Sequence, residues 1–256
     1  MNAPALAVRQ FSYENKSFWR NPAAAFFTFV FPLLFLIIFT AIFSGDVDLP
    51  NGTTINSATY YTAAILAFGV ISATYTNIAI SVTFIREEGV LKRVRGTPIP
   101  ATSYLIGKVL HAIFVQVLLV IITLVFGKVF YDVAIPGETM PAFIATLIIG
   151  AACFCTLGLA VTAIIPNQDA APPVVNASVL PLLFLSGVFI PTTTAPPWMT
   201  NTAEVFPIKH FLDGLFSSYL QLTSTGWEGR DMLIVVAWAV VGLVLAARFF
   251  RWEPRR

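Results

Sequence analysis

The run from Ala23 to Phe43 reads AAAFFTFVFPLLFLIIFTAIF and determines the class of fold. It carries no charged side chain, and about 20 such residues form a helix long enough to cross about 30 Å of hydrocarbon. The apolar region of a secretory signal is only about 7–15 residues long. The run therefore predicts a true membrane span rather than a cleaved leader.

Five further apolar runs follow, and the whole chain is 57% hydrophobic but only 11% charged. A soluble domain carries about 25% charged residues, so most of this chain has no aqueous surface to cover. The fifth run is the shortest, and Pro181 is expected to bend it. The six predicted spans are Ala23–Phe43, Tyr61–Phe84, Val109–Tyr131, Ala142–Ile165, Pro173–Phe189 and Met232–Phe250.

The basic residues are unevenly divided between the two sides that six spans would create. Twelve of the fifteen fall before span one, between spans two and three, or after span six. The positive-inside rule then predicts that both termini are cytoplasmic. Basic residues that flank apolar runs, without a basic face and interleaved aromatics, do not indicate nucleic-acid binding.

The sequence thus predicts an all-α integral membrane protein with six transmembrane helices and both ends in the cytoplasm. Residues 1–22 form a cytoplasmic amphipathic segment in which Leu6–Arg20 suits a helix lying in the membrane interface, with an irregular tail as the alternative. The transmembrane domain covers 23–250 and includes a cytoplasmic loop at 85–108. A short cytoplasmic tail covers 251–256.

The external segment at 190–231 is too long and too regular for a simple turn. Apolar residues from Phe211 to Leu220 recur with helical spacing, and Lys209 and Asp213 are four residues apart, as in a helical ion pair. Pro196, Pro197 and Pro207 mark the limits of a shorter piece before it. We therefore expect two short re-entrant helices in the outer leaflet.

Several kinds of chemistry are missing from the sequence. It has no Gly-x-x-x-x-Gly-Lys-Ser/Thr loop for ATP phosphates and no His-Glu-x-x-His pair for zinc. No acidic or basic residue lies well inside a span, which disfavours an ion-coupled carrier, although a sodium site made of carbonyls and hydroxyls stays possible. Cys153 and Cys155 are expected to be small packing residues.

Polar side chains without charge do occur inside span two. Thr74, Asn77 and Ser81 share one helical face. Such residues often only join helices by hydrogen bonds, and the alternative is a mildly polar wall for a path through the bundle.

The loop after span two resembles that of the type-2 ABC transporter permeases, most closely the daunorubicin-resistance-like drug exporters. The resemblance lies in FIREEGVLKRVRGTP from Phe84 to Pro98, followed by YLIGK from Tyr104 to Lys108. A looser match is LSGVFIP from Leu185 to Pro191, followed by Pro197-Trp198-Met199 and Phe206-Pro207-Ile208. With the six spans, the resemblance covers nearly the whole chain.

The resemblance implies a permease subunit with no ATPase site and no bound cofactor. Two copies of a separate ATPase subunit would bind ATP and Mg²⁺, and a second permease copy, identical or similar, would complete the path. The implied ATPase-coupling residues are Arg86, Glu87, Glu88, Leu91, Lys92 and Arg93. The implied substrate-path or dimer-interface residues are Thr74, Asn77, Ser81, Asn176 and Phe184.

The expected function is export of a hydrophobic or amphiphilic substrate, drug or lipid-like, across a bacterial cell membrane, with antibiotic efflux as one form of it. Two alternatives stay open: a carrier that works without an ATPase, and a membrane assembly factor that transports nothing. Transport in vesicles without an ATPase partner would favour the first, and a stable complex without transport would favour the second.

Overall fold

The computed structural model describes residues 3–43, 45–49, 52, 54–96, 100–191 and 195–253. Residues 97 and 98 of the motif in the predicted cytoplasmic loop and the end of the predicted tail, 254–256, lie outside the described residues. The described helices are α1 (Ala3–Trp19), α2 (Pro22–Ile42), α3 (Ser57–Ile71), α4 (Asn77–Glu87), α5 (Val90–Arg95), α6 (Ala101–Tyr131), α7 (Met140–Val161), α8 (Ala171–Leu185), α9 (Pro197–Ala203), α10 (Pro207–Leu220) and α11 (Gly229–Phe249).

Five apolar helical stretches of the described chain are long enough to cross a membrane. They are Pro22–Ile42, Ser57–Glu87, Ser103–Tyr131, Met140–Val161 and Gly229–Phe249. They correspond to five of the six predicted spans, so the chain is a multi-pass membrane protein. The predicted fifth span is α8, which has only 15 residues and at 1.5 Å per residue rises about 22 Å. A sixth crossing therefore stays a prediction.

Contacts group the connecting segments at two ends of the bundle. At one, called the α5 end, lie α1, α5 and the residues after α11, where Phe250 and Trp252 pack beside the buried Leu91. At the other, called the α10 end, Tyr60 donates a hydrogen bond to the carbonyl of Gly187, 2.5 Å away. The segments predicted to be cytoplasmic thus lie together, while the orientation in the membrane stays a prediction.

The N-terminal segment is a helix, as predicted, and it is fixed to the bundle. Lys108 of α6 forms a 3.0 Å ion pair with Glu14, and both side chains are largely buried. A Cβ on Gly107 would lie 2.5 Å from the Cβ of Gln10. Glycine thus permits the close approach of α1 to α6, and the position of α1 in the membrane interface stays a prediction.

The second long stretch is not a regular α-helix. Between α3 and α4, Ser72–Thr76 forms a π-helical turn, a feature that occurs frequently at functional sites. The hydroxyls of Tyr75 in this turn and Ser178 of α8 are 2.7 Å apart. No local sequence pattern predicts this turn, which contains Thr74 of the predicted polar face.

The α10 end combines helices with a feature that the all-α prediction lacked. Strand β1 (Asp46–Asp48) pairs antiparallel with β2 (Thr54–Asn56), with Val47 opposite Ile55. The predicted short helices are present as α9 and α10, but α10 is almost entirely buried against the bundle. Their insertion in the outer leaflet stays a prediction.

An acidic side chain lies partly buried at the same end. Lys209 and Asp213 of α10 form the predicted ion pair. Burial raises the pKa of the Asp213 carboxyl above its ordinary value, although the Lys209 ammonium acts in the opposite direction. With 17% of the Lys209 side chain and 35% of the Asp213 side chain exposed, the pair lies at a partly accessible edge of this end.

We expect the contact of α7 with the π turn to depend on Gly158. A Cβ there would lie 2.8 Å from the carbonyl oxygen of Tyr75, a backbone atom that cannot move aside cheaply. Gly158→Ala is expected to lower the free energy of unfolding by about 1–3 kcal/mol, measured by detergent-induced unfolding. Gly229→Ala is the control, because the nearest atom to a Cβ at Gly229 is 3.6 Å away. This variant is expected to leave the free energy of unfolding unchanged or to raise it. Equal losses of stability in both variants would contradict the dependence on Gly158.

Candidate functional site

The segment Arg86–Arg95, called the α4–α5 corner, reverses the chain at the α5 end. Gly89 has a φ of +71°, in the left-handed region that favours glycine. The reversal ends α4 at Glu87 and begins α5 at Val90. The six predicted coupling residues all lie in this corner, but they fall into two groups with different surroundings.

Arg86 is the best-buried member, with only 1% of its side chain exposed. Its guanidinium donates to the carbonyls of Thr162 and Ile165, each 2.8 Å away. These carbonyls follow the last turn of α7, where a helix leaves backbone acceptors without partners. Arg86 also forms a 3.0 Å ion pair with Glu87. It therefore joins the corner to α7 and presents no surface to another subunit.

Leu91 is the second internal residue and is fully buried. It packs in a cluster with Ile78 and Val82 of α4, Ala112 of α6 and Cys155 of α7. Burial of a leucine side chain contributes about 1.5–3 kcal/mol. The apolar edge of α5 thus fixes the short helix to three long helices.

The other four predicted coupling residues are less buried. Glu88, Lys92 and Arg93 are exposed, and Glu87 is half-buried beside Arg86. Lys92 is 4.0 Å from Glu253 in an exposed pair that contributes little stability. A corner whose inner side chains are fixed and whose outer ones are charged can bind a partner and transmit its movement as a rigid body.

The predicted polar face of span two is only partly accessible. Thr74 is fully buried, and its hydroxyl donates to the carbonyl of Val70 in the same helix, 2.6 Å away. Asn77 and Ser81 are half-buried and line one cavity of about 520 Å³. Two of the three thus open to a common space, whereas Thr74 is a packing residue.

That space, called the α1 cavity, lies between α1, the start of α2, α4, α5 and the first turns of α6. Its lining residues are Tyr13, Glu14, Ser17, Phe18, Asn21, Ala24, Asn77, Ile78, Ser81, Ile85, Val90, Tyr104, Lys108 and His111. A second, apolar groove of about 300 Å³ lies between α7, α8, α10 and α11. Neither cavity includes the two predicted path residues of α8.

Those two residues, Asn176 and Phe184, lie on the outer surface of α8. Both are exposed, with half of the Phe184 side chain accessible. Within this single chain they are therefore separate from Asn77 and Ser81. The surface of α8 that carries Asn176 and Phe184 is open in the single chain.

Sequence reasoning missed the contacts that join distant segments. The Glu14–Lys108 pair and the bonds of Arg86 to the end of α7 connect residues more than 70 positions apart. No local pattern signals such contacts. The one available hint was an arginine in the last turn of a span, close to where another predicted span ends. Among the described residues, no group of His, Cys, Asp and Glu could hold a metal ion.

Comparison with known proteins agrees with this arrangement. The model of the family described as "ABC-2 type transporter" matches residues 6–220. The chain belongs to that family. The match begins in α1 and ends with α10, so it includes the α4–α5 corner and the α1 cavity.

The relatives carry permease names. The chain is 28% identical over 191 residues to "Probable multidrug ABC transporter permease YbhR" of Escherichia coli K12, which covers 74% of this chain but spans only 50% of the relative's length. It is 23% identical over 234 residues to YvfS of Bacillus subtilis, a protein named as a transport permease. That match covers 91% of this chain and 92% of YvfS. The chain is thus a membrane protein of the ABC-2 type transporter family that resembles permeases and spans about half the length of the first of these relatives.

We expect replacement of Arg86 to destabilise the protein. Arg86→Met keeps much of the bulk but leaves two buried carbonyls and Glu87 without their partner, at an expected cost of about 2–4 kcal/mol in the free energy of unfolding. Detergent-induced unfolding measures the loss. Arg93→Met, in which an exposed arginine is replaced, is the matched control and is expected to change stability by less than about 0.5 kcal/mol. Equal stability of the two variants would show that the bonds of Arg86 to α7 do not hold the corner.

Proposed function

We propose that this chain is the membrane-spanning subunit of an ATP-driven exporter for a hydrophobic or amphiphilic substrate, drug or lipid-like. Two copies of a separate ATPase subunit would supply the energy in a bacterial cell membrane. The observation that carries the proposal is the α4–α5 corner, where exposed charges sit on a base fixed by Arg86 and Leu91. A carrier that works alone has no need of such a charged, rigid projection.

The exposed charges of the corner are better explained by a protein partner than by contact with solvent alone. Glu88, Lys92 and Arg93 lie within six residues of one another and present both signs of charge. Complementary charges on a partner would fix the register and orientation of docking. The internal residues Arg86 and Leu91 would then pass the movement of the partner to α7 and α4.

The path for the substrate is proposed to form between two permease copies. Asn77 and Ser81 give α4 an uncharged polar surface, and Asn176 and Phe184 lie on the outer face of α8. A second copy, identical or similar, would enclose these surfaces, because a path needs walls on all sides. Their lack of charge favours a substrate without a large net charge, as expected for drug-like and lipid-like molecules. Binding of ATP would favour one arrangement of the two halves over the other.

Charge reversal in the corner tests the docking. The double variant Lys92→Glu, Arg93→Glu is expected to reduce association with the ATPase subunit at least about tenfold, since like charges would oppose each other across the interface. Association is measured by co-purification from membranes that contain both subunits. ATP-dependent substrate uptake into inside-out vesicles should fall in parallel.

The matched control is Lys128→Glu, which reverses an exposed lysine in the last turn of α6, at the α10 end. It should leave both association and uptake unchanged. Unimpaired association in the double variant would refute docking at the corner. Substrate uptake that continues without any ATPase subunit would instead favour a carrier that works alone.

A further inference from the structure

The α1 cavity has the size of a binding site and includes Asn77 and Ser81 of the proposed substrate surface, so an inference about its ligand rests on the proposed function and deepens it. Its volume of about 520 Å³ falls in the range of about 300–1,000 Å³ that is typical of small-molecule sites. Side chains from five different helices surround it. Tyr13, Ser17, Asn77, Ser81 and Tyr104 contribute hydroxyl and amide groups.

The charges in the cavity cancel each other. Glu14 and Lys108 are ion-paired at 3.0 Å, with 18% and 8% of their side chains exposed. Among the side chains that the structure describes, the lining includes no arginine and no acidic or basic residue besides Glu14, Lys108 and His111. An ionic ligand would lose its hydration without gaining a free counter-ion here. The lining therefore favours an uncharged polar group.

One lining side chain lacks a partner that a ligand could supply. His111 is only 6% exposed, and within the described part of the chain its Nε2 makes no hydrogen bond. Buried polar atoms are nearly always hydrogen-bonded, so such an exception requires an explanation. A hydroxyl group can both donate and accept, and it therefore suits either tautomer of the ring.

The remaining lining is apolar. Phe18, Ile78, Ile85 and Val90 offer surface for a hydrocarbon chain, and Phe18 also contacts His111 with ring centroids 5.5 Å apart. We propose that the α1 cavity binds an amphiphile with an uncharged, hydroxyl-bearing headgroup. Val90 is the first residue of α5, so the bound amphiphile touches the α4–α5 corner.

Photolabelling with an octyl glucoside that carries a diazirine in its alkyl chain tests the site. The full chain is reconstituted in phosphatidylcholine nanodiscs without an ATPase subunit, and labelled peptides are mapped by mass spectrometry. Labelling is expected in the peptides that contain Ser81 and His111, and excess octyl glucoside should abolish it. Octyl sulfate and octyltrimethylammonium, which have the same chain, should compete at least about tenfold more weakly.

Three variants connect the labelling to the cavity. Ser81→Phe places a ring in the space and should reduce saturable labelling at least about fivefold, whereas Ser12→Phe, on the exposed side of α1, should leave it unchanged. If Ser81→Phe does not fold, competition by octyl glucoside is measured in His111→Leu and His111→Gln instead. Loss of the hydrogen-bonding group in His111→Leu should weaken competition by octyl glucoside about five- to tenfold, and His111→Gln should change it less than about twofold.

Labelling that does not saturate, or that survives Ser81→Phe unchanged, would overturn the proposal. Stronger competition by octyl sulfate would show an anion site instead. Competition by free glucose as strong as that by octyl glucoside would show that a soluble sugar, not an amphiphile, is bound. None of these readouts requires ATP or transport, so a failure of saturable labelling can be distinguished from a failure of ATP-driven export.

Discussion

The buried guanidinium of Arg86 connects the part of this molecule that can meet a partner to the part that lies in the membrane. A charged side chain with 1% exposure persists only where its hydrogen bonds are satisfied. Here they go to the carbonyls of Thr162 and Ile165, beyond the last turn of α7. These bonds and the burial of Leu91 give α5 a fixed place on the bundle. A movement imposed on the exposed charges of α5 therefore reaches α7 directly.

The helices behind this corner are packed closely enough to carry such a movement. The π turn at Ser72–Thr76 meets α7 at Gly158, where backbone approaches backbone. It also meets α8 through the hydroxyls of Tyr75 and Ser178. Small residues at helix crossings and a few polar contacts are the usual means of association inside a bilayer. The same turn is followed directly by Asn77, so packing and the proposed substrate surface adjoin each other.

The sequence allowed the membrane class, the limits of most long helices and the location of the corner to be predicted. Apolar length and the motif around Arg86 are local signals, and they suffice for those features. The division of the corner into internal and external residues was not predictable, because the burial of Arg86 depends on the end of α7 about 80 positions later. The burial of Thr74 was not predictable either, because Thr74 lies in the π turn, which no local pattern indicates. The strands that begin at Asp46 and Thr54 have three residues each and were too short to predict beside the long apolar runs. The α8 helix is shorter than its apolar run because Ser186 and Gly187 form a turn inside it.

We propose that the α4–α5 corner and the end of α7 move as one body when ATP binds to the ATPase partner. It can be tested by measuring the distance between spin labels at Gly96, directly after α5, and Ile164, with Cys153 and Cys155 replaced by alanine, in the complex with the ATPase subunit. We expect this distance to stay constant within about 2 Å when ATP is added, and its distribution to broaden in Arg86→Met. A shift of more than about 5 Å in the otherwise native chain would contradict the account, because the corner would then move independently of α7.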